Sequence, residues 1–167
     1  DLPSFTYAES LSNAVRRNCT ERVFTANEAP PDVSIFLHHE MAQTPVYPSK
    51  LFFHCEIAPE SGGATPLCRS DRLLRALESA QPDFVQLCRE KGVRYSNTMP
   101  ATDDAGSGQG RSWRSTLSAD DKPAAEQRLA SLGYEWLWLA DDELRVTTPV
   151  LPAIRLLDDG REVFFNQ

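Results

Sequence analysis

Short apolar runs separated by turn residues dominate the first half of the chain. The runs IFLHHE at 35–40 and KLFFHCEIA at 50–58 are rich in branched and aromatic residues, which predicts two strands. The second run ends at Pro59. The segment PESGGATP that begins there predicts a tight turn, because Gly62 and Gly63 can adopt a positive φ.

Helical spacing of apolar positions follows this region. Ser70 is suited to cap a helix with the sequence DRLLRALESA. The stretch QPDFVQLCREKG predicts a second helix, with Pro82 in its first turn and Gly92 at its end. Ser118, with Asp121 three residues later, resembles a capping box for a third helix.

The last third of the chain returns to strand patterns. We predict strands in VRYSNT, YEWLWL, ELRVTTPV and PAIRLL, and a hairpin around Asp158-Asp159-Gly160. The segment PATDDAGSGQGR at 100–111 predicts a flexible surface loop or lid. Residues 1–167 are thus predicted to form one domain, mostly β with inserted helices or α+β.

Length and charge restrict the class of protein. The chain has 167 residues, and its formal net charge of −7 argues against nucleic acid as its main partner. No apolar run approaches the roughly 20 residues of a membrane span, and DLPSFTYAES shows no signal-peptide pattern. The four scattered cysteines predict reduced, mostly buried thiols, and therefore a cytoplasmic protein. Because REVFFNQ is an apolar strand-like end, we expect the chain to be part of a longer polypeptide.

The tripeptide HHE contains two of the three histidines of the chain. Side chains alternate along a strand, so His38 and Glu40 would share one face and His39 would lie on the other. An imidazole and a carboxylate at one point, joined by a second histidine from elsewhere, form the facial triad that binds Fe(II). A polar strand end at the surface explains the same tripeptide. His54 would by default be a core histidine, although it could supply a third ligand.

The order of motifs along the chain resembles a known family. The segments FLHHEMAQTP, LFFHCEIAPESGGATPL, RSWRSTLSADDKPAAEQRLASLGYEWLW and VLPAIRLLDDGREVFFNQ follow one another as they do in the taurine dioxygenase-like Fe(II)/2-oxoglutarate-dependent oxygenases. The match is greatest to the branch with H-x-E, which clavaminate synthase shares. It covers nearly the whole chain from about residue 20 onward.

This resemblance implies a double-stranded β-helix, or jelly roll, of which the chain would hold an incomplete portion. It implies Fe(II) held by His38 and Glu40, and 2-oxoglutarate contacted by the Thr65 hydroxyl. The expected reaction is hydroxylation of an amino acid or related small molecule, free or tethered to a carrier protein, in a biosynthetic pathway. In the family, the second iron histidine and the 2-oxoglutarate arginine follow the hairpin, and this chain contains neither.

Four further residues are candidate substrate contacts. Asn27 and Asn166 lie on segments that the family places near the pocket. Arg111 and Arg114 flank the 100–111 loop and could meet an anionic substrate, although a solvated loop flank would contain the same residues. Two other functions stay open at this point: a non-catalytic or degraded jelly-roll binding domain, and a cupin-like zinc hydrolase using His38, Glu40 and His54.

Overall fold

Two small antiparallel sheets and four α-helices make up the regular structure of the described residues. A computed structural model describes residues 10–26, 28, 30, 33–104, 106 and 110–167. In chain order the elements are α1 (Ser70–Ala80), α2 (Pro82–Lys91), β1 (Ser96–Met99), α3 (Trp113–Leu117), α4 (Lys122–Ser131), β2 (Glu135–Trp138), β3 (Leu144–Thr147), β4 (Ile154–Leu156) and β5 (Glu162–Phe164). A short 3-10 helix, Ala140–Asp142, joins β2 to β3.

The larger sheet has the strand order β1-β3-β2, with both pairings antiparallel. On β3, Leu144 and Val146 are buried while Arg145 is exposed, as the alternation of side chains requires. β4 and β5 form the predicted hairpin, in which Ile154 lies opposite Phe164. Its turn contains Gly160 at φ 80°, a conformation that favours glycine.

The hydrophobic core lies between this sheet and helices α3 and α4. Trp113, Leu129 and Leu144 are fully buried there. The rings of Trp113 and Trp138 meet edge to face with their centroids 5.1 Å apart, a favourable aromatic geometry. The core therefore fixes α3 and α4 against the sheet.

The helix ends agree only partly with the predicted caps. α2 begins at Pro82 and ends before Gly92, at φ 67°, as predicted. Ser70 is the first residue of α1 rather than its cap, and Arg69 at the cap position makes no side-chain capping bond. Asp121 caps α4 by accepting a hydrogen bond from the backbone N–H of Ala124 at 2.9 Å.

Ser118 also differs from the prediction. It ends α3 in the left-handed conformation at φ 51° and is not part of a capping box for α4. The prediction of a capping box was therefore wrong. α4 begins at Lys122 and is capped by Asp121 alone.

The predicted strands at 35–40 and 50–58 were wrong. Residues 33–69 contain no strand, and turns begin at residue 40. Large apolar side chains in this region are exposed, with 83% of Phe36, 75% of Phe52 and 85% of Leu67 accessible. A strand needs a neighbouring edge to pair its N–H and C=O groups, and no described segment provides one here.

Two other expectations can be compared with the structure. Cys88 is buried, but Cys19, Cys55 and Cys68 are exposed, so the prediction of mostly buried thiols was wrong; all four are free. The described elements show antiparallel sheets with inserted helices, while the double-stranded β-helix stays a prediction. Within the described ranges, every helix is too short or too polar to cross a bilayer.

Candidate metal centre

His38 lies just before the turn at residues 40–45 and is exposed to solvent. Its Nδ1 is 2.7 Å from the backbone carbonyl oxygen of Phe36. Because a carbonyl oxygen only accepts, Nδ1 is the donor in this contact, which does not involve Nε2. Histidines that bind metals commonly donate their other ring N–H to a carbonyl in this way. The ring of His38 is thus oriented so that Nε2 is the nitrogen suited to bind a metal.

Glu40 is paired with Arg16 across 24 residues of sequence. Arg16 Nη2 donates to Glu40 Oε1 at 2.9 Å, and the two side chains are 14% and 17% exposed. This contact uses only one carboxylate oxygen, so Oε2 can serve as a metal ligand while Arg16 holds the group in place. Ligating carboxylates are often oriented by such a second contact.

His39 is packed into the protein. Its Nε2 is 2.6 Å from Ser70 Oγ, and its ring lies 4.8 Å from that of Phe165, centroid to centroid. Its backbone N–H donates to the carbonyl of Asn166 at 3.0 Å. Burial lowers the pKa of His39, and a hydrogen bond to the Phe164 backbone offsets this lowering only in part. Because the net pKa is lowered, the ring is neutral. Nε2 of His39 is thus engaged with Ser70 and is not open for a metal.

The strand argument for His38 and Glu40 therefore failed in its geometry, because the chain turns at residue 40. Their environments nevertheless differ from that of His39. The ring of His39 packs against Phe165 and bonds to Ser70, whereas the contacts of His38 and Glu40 each use one of two possible ligand atoms. Among the described residues, no group of three His, Cys, Asp or Glu side chains could hold an ion. His54 lies on the exposed 50–58 segment and does not complete such a group.

The proposed contacts for small molecules lie in several places. Thr65 is exposed, on the segment between Gly63 and Pro66. Asn27 lies outside the described residues. Asn166 is brought to the candidate centre, since its backbone carbonyl accepts from His39 and its side-chain Oδ1 accepts from the Tyr95 hydroxyl.

The two arginines are engaged elsewhere. Arg111 is buried, and its guanidinium donates to the Ser10 carbonyl at 2.9 Å and to the Ser115 carbonyl at 2.7 Å. Arg114 is exposed, with its guanidinium carbon 4.0 Å from the centroid of Trp113 and Nη2 3.2 Å from Asp142. No contact described for either arginine joins it to His38 or Glu40, so a substrate role stays a prediction for both.

The 100–111 loop is closed at its base. The backbone N–H of Asp104 donates to the carbonyl of Gly110 at 2.7 Å, and Asp103 Oδ1 accepts from the N–H of Ser112 at 2.6 Å. Residues 105 and 107–109 are outside the described ranges. A role as a lid stays a prediction, as does the single-domain boundary at 1–167.

Sequence reasoning missed Arg16 and Ser70 as parts of this centre. Ser70 was interpreted as a helix cap, and nothing distinguished Arg16 from the adjacent Arg17. Both contacts join residues distant in sequence, 24 residues apart for Arg16 and Glu40 and 31 for His39 and Ser70. No local pattern could have identified them.

Comparison with known proteins identifies the family of the chain. Residues 6–136 match the family described as taurine catabolism dioxygenase TauD, TfdA family. The chain therefore belongs to this family of dioxygenases, as the order of its motifs predicted.

Two curated relatives support the assignment. A clavaminate synthase-like protein of Arabidopsis thaliana is 43% identical over 154 residues, which is 92% of this chain and 47% of the relative. The dapdiamide synthesis protein DdaC of Enterobacter agglomerans is 27% identical over 162 residues, 97% of this chain and 46% of that protein. The chain thus spans about half the length of these relatives.

Proposed function

We propose that the protein is an Fe(II)/2-oxoglutarate-dependent oxygenase that hydroxylates an amino acid or related small molecule, free or tethered to a carrier protein, in a biosynthetic pathway. The observation that carries the proposal is the orientation of the His38 ring. Its Nδ1 is committed to the Phe36 carbonyl at 2.7 Å, which leaves Nε2 as a ligand two residues before Glu40. Membership of the dioxygenase family supports the same chemistry.

The donor types of His38 and Glu40 fit a divalent transition metal such as Fe(II). An imidazole nitrogen and a carboxylate oxygen are two members of the facial triad that suits Fe(II). His38 and Glu40 would hold the ion, and Thr65 would contribute its hydroxyl to 2-oxoglutarate. When bound, iron and 2-oxoglutarate supply the oxidative chemistry, while the protein provides binding and orientation.

Glu40 bears on the type of reaction. Related halogenases lack a carboxylate at the corresponding position, which leaves space for chloride. We propose that Glu40 corresponds to that position, and its salt bridge to Arg16 holds the carboxylate in place. Hydroxylation is therefore proposed in preference to halogenation.

The test is an anaerobic titration of the whole protein with Fe(II) and 2-oxoglutarate, following the weak visible charge-transfer band of the chelate. We expect a band in the wild type and none in His38→Ala. His54→Ala is the matched control, since His54 lies on the exposed 50–58 segment, and it should keep the band.

The other outcomes are equally informative. A band that persists in His38→Ala would contradict the assignment of His38 as a ligand. Zinc that is retained through purification, with no band when 2-oxoglutarate is added to the wild type, would favour the zinc hydrolase instead. Absence of a band in the wild type, in protein shown to be folded, would favour a non-catalytic binding domain. A cytoplasmic location stays a prediction.

A further inference from the structure

Arg155 is the charged residue of β4, on the face of the β4–β5 hairpin that is directed into the protein. It lies directly opposite Val163, which is buried, and residues paired in this way extend their side chains from the same face. Arg155 is itself partly buried. A charged side chain on such a face loses part of its hydration, so its contacts need an explanation.

Two aromatic rings hold the guanidinium of Arg155 in place. Its central carbon lies 4.9 Å from the ring centroid of Tyr47 and 5.5 Å from that of Phe165. The two rings also contact each other, with their centroids 4.8 Å apart. Distances below about 6 Å give a favourable cation–π attraction. This attraction uses the charge of the guanidinium and leaves its N–H groups available for hydrogen bonds.

These N–H groups have no partner in the described part of the chain. A guanidinium has five N–H donors, and that of Arg155 makes no hydrogen bond or ion pair with any described residue. Other arginines that are at least partly buried do make such bonds: Arg16 to Glu40 at 2.9 Å, and Arg111 to the Ser115 carbonyl at 2.7 Å. A shortage of acids is not the reason, because the chain has 24 acidic and 17 basic residues.

The nitrogen atoms of Arg155 can also be reached from outside the protein. They retain solvent-accessible surface, since none of them belongs to the buried side-chain atoms without a hydrogen-bond partner in the described ranges. A ligand can therefore touch the same N–H groups that the protein leaves unpaired. A positive group that is fixed by two rings, unpaired and accessible favours an anion, because hydrogen bonds between oppositely charged groups are the strong ones.

The guanidinium of Arg155 is close to the candidate metal centre. The ring of Phe165, which it contacts, lies 4.8 Å from the ring of His39, centroid to centroid. His39 stands between the two candidate ligands in the sequence. One aromatic ring thus separates Arg155 from the segment that carries those ligands.

We propose that Arg155 binds the carboxylate group of a small molecule beside the candidate metal centre. The planar fork of a guanidinium matches the two oxygens of a carboxylate and can donate to both. An amino-acid substrate and 2-oxoglutarate both carry this group, so the assignment of the carboxylate to either of them rests on the proposed function. Binding of a carboxylate itself does not depend on iron.

The experiment uses acetate as the probe and the ring of Tyr47 as the reporter, since this ring contacts the guanidinium. In protein labelled with ¹³C in its tyrosine rings, with Tyr47→Phe to assign the signal, acetate should shift the Tyr47 resonance to saturation. Chloride keeps the ionic strength constant, so that general screening by salt does not change during the titration. Acetamide has a similar shape but no charge, and it should leave the signal unchanged.

Arg155→Met tests the guanidinium itself. It keeps an unbranched apolar stem against the two rings, so the protein should stay folded while acetate no longer shifts Tyr47. Arg155→Lys keeps the charge but not the planar fork, and acetate affinity should fall at least tenfold. Arg145→Met is the matched control, since Arg145 is an exposed strand arginine that also lacks an ion pair with any described residue. It should bind acetate like the wild type.

A titration of the same signal with 2-oxoglutarate identifies the source of the carboxylate. Binding at least tenfold tighter than that of acetate would assign Arg155 to 2-oxoglutarate. Equal or weaker binding would assign it to the substrate.

The proposal is overturned if acetate does not shift Tyr47 in the wild type. It is also overturned if Arg155→Met, or Arg155→Lys where Arg155→Met fails to fold, binds acetate as the wild type does. Either result would make Arg155 a structural residue only. An equal shift by acetamide would overturn the requirement for a charged group. If acetate binds normally but the Fe(II) and 2-oxoglutarate band is absent, the oxygenase assignment fails and the carboxylate site stands.

Discussion

The imidazole Nε2 of His39 lies 2.6 Å from the hydroxyl oxygen of Ser70. This contact joins the turn that carries the candidate ligands to the first residue of α1. The backbone N–H of His39 also donates to the carbonyl of Asn166, just after β5. His39 therefore holds three segments together, and the backbone between His38 and Glu40 is fixed from its inner side.

Ser70→Ala should lower the free energy of unfolding by about 1 kcal/mol, because it removes one partly buried hydrogen bond and leaves the imidazole nitrogen unpaired. Urea denaturation measures the change. Ser79→Ala is the matched control, since Ser79 is an exposed residue of the same helix. That variant should be as stable as the wild type or slightly more stable. Equal destabilisation by both variants would mean that the loss reflects α1 itself and not the contact with His39.

His39→Gln should separate stability from metal binding. We expect a lower unfolding midpoint, because the variant loses the packing against Phe165, together with a retained Fe(II) and 2-oxoglutarate band. His38→Ala should give the opposite pattern, since His38 is exposed. The two measurements are thermal unfolding and anaerobic titration on the same preparations. Loss of the band in both variants would contradict this separation and show that metal binding depends on His39, either as a ligand or through the backbone that it holds.

Arg16→Gln should weaken Fe(II) binding by about tenfold, the typical cost of removing a group that orients a metal ligand. The reason is that Arg16 Nη2 holds Glu40 Oε1 at 2.9 Å and so directs the other carboxylate oxygen. Arg17→Gln is the matched control, because Arg17 is exposed and adjacent. Tighter Fe(II) binding in Arg16→Gln would instead show that Arg16 competes with the metal for Glu40.

Asp71 should contribute to stability in a pH-dependent way. Hydrogen bonding from Arg69 lowers the pKa of Asp71 from 3.8 to about 2, and Arg161 Nη1 lies 3.8 Å away. Because the folded protein releases this proton more readily than the unfolded chain, the contribution is complete above about pH 4 and is lost as the pH falls towards 2.

The measurement is urea denaturation of the wild type and Asp71→Asn at several pH values. The wild type should be the more stable at pH 5, and the difference should shrink between about pH 4 and pH 2. Taking this difference removes the effect of Asp142, Asp159 and Glu162, whose pKa values are also lowered by basic neighbours. A difference that does not change with pH would contradict a lowered pKa at Asp71.

Local signals explain which parts of the fold could be predicted. The ends of α2 and the β4–β5 hairpin follow from Pro82, Gly92 and the Asp-Gly turn, which act within a few residues of themselves. The strands expected at 35–40 and 50–58 failed because pairing depends on a neighbouring edge, which local sequence does not encode.

The same distinction applies to the candidate site. The tripeptide HHE indicated His38 and Glu40 as ligands but not the groups that contact them. Glu40 is bonded by Arg16, which is distant in sequence, and His38 contacts the backbone carbonyl of Phe36. The contacts of Arg111 were also beyond local sequence. Its position beside a polar loop favoured a substrate contact, while in the structure its guanidinium bonds to Ser10 and Ser115.

The exposed apolar side chains of residues 33–69 lead to the last prediction. Phe52 and Leu67 are 75% and 85% accessible, and other large apolar side chains of this segment are exposed as well. Large exposed apolar patches usually mark an interaction surface. We expect the 167-residue chain, expressed by itself, to bind a hydrophobic dye and to self-associate. Phe52→Ser and Leu67→Ser should reduce both effects, measured by dye fluorescence and analytical ultracentrifugation.

Val150→Ser is the control for this effect. Val150 is 62% exposed but lies outside the 33–69 segment, so its replacement should change dye binding little. A monomeric chain without dye binding would mean that this segment folds onto its own apolar residues in solution. If Val150→Ser reduces dye binding equally, the dye binds exposed apolar residues over the whole molecule and not the 33–69 segment in particular. The segment has a strand-forming sequence that is unpaired among the described residues. This explanation requires that Phe52→Ser and Leu67→Ser reduce dye binding and self-association while Val150→Ser does not.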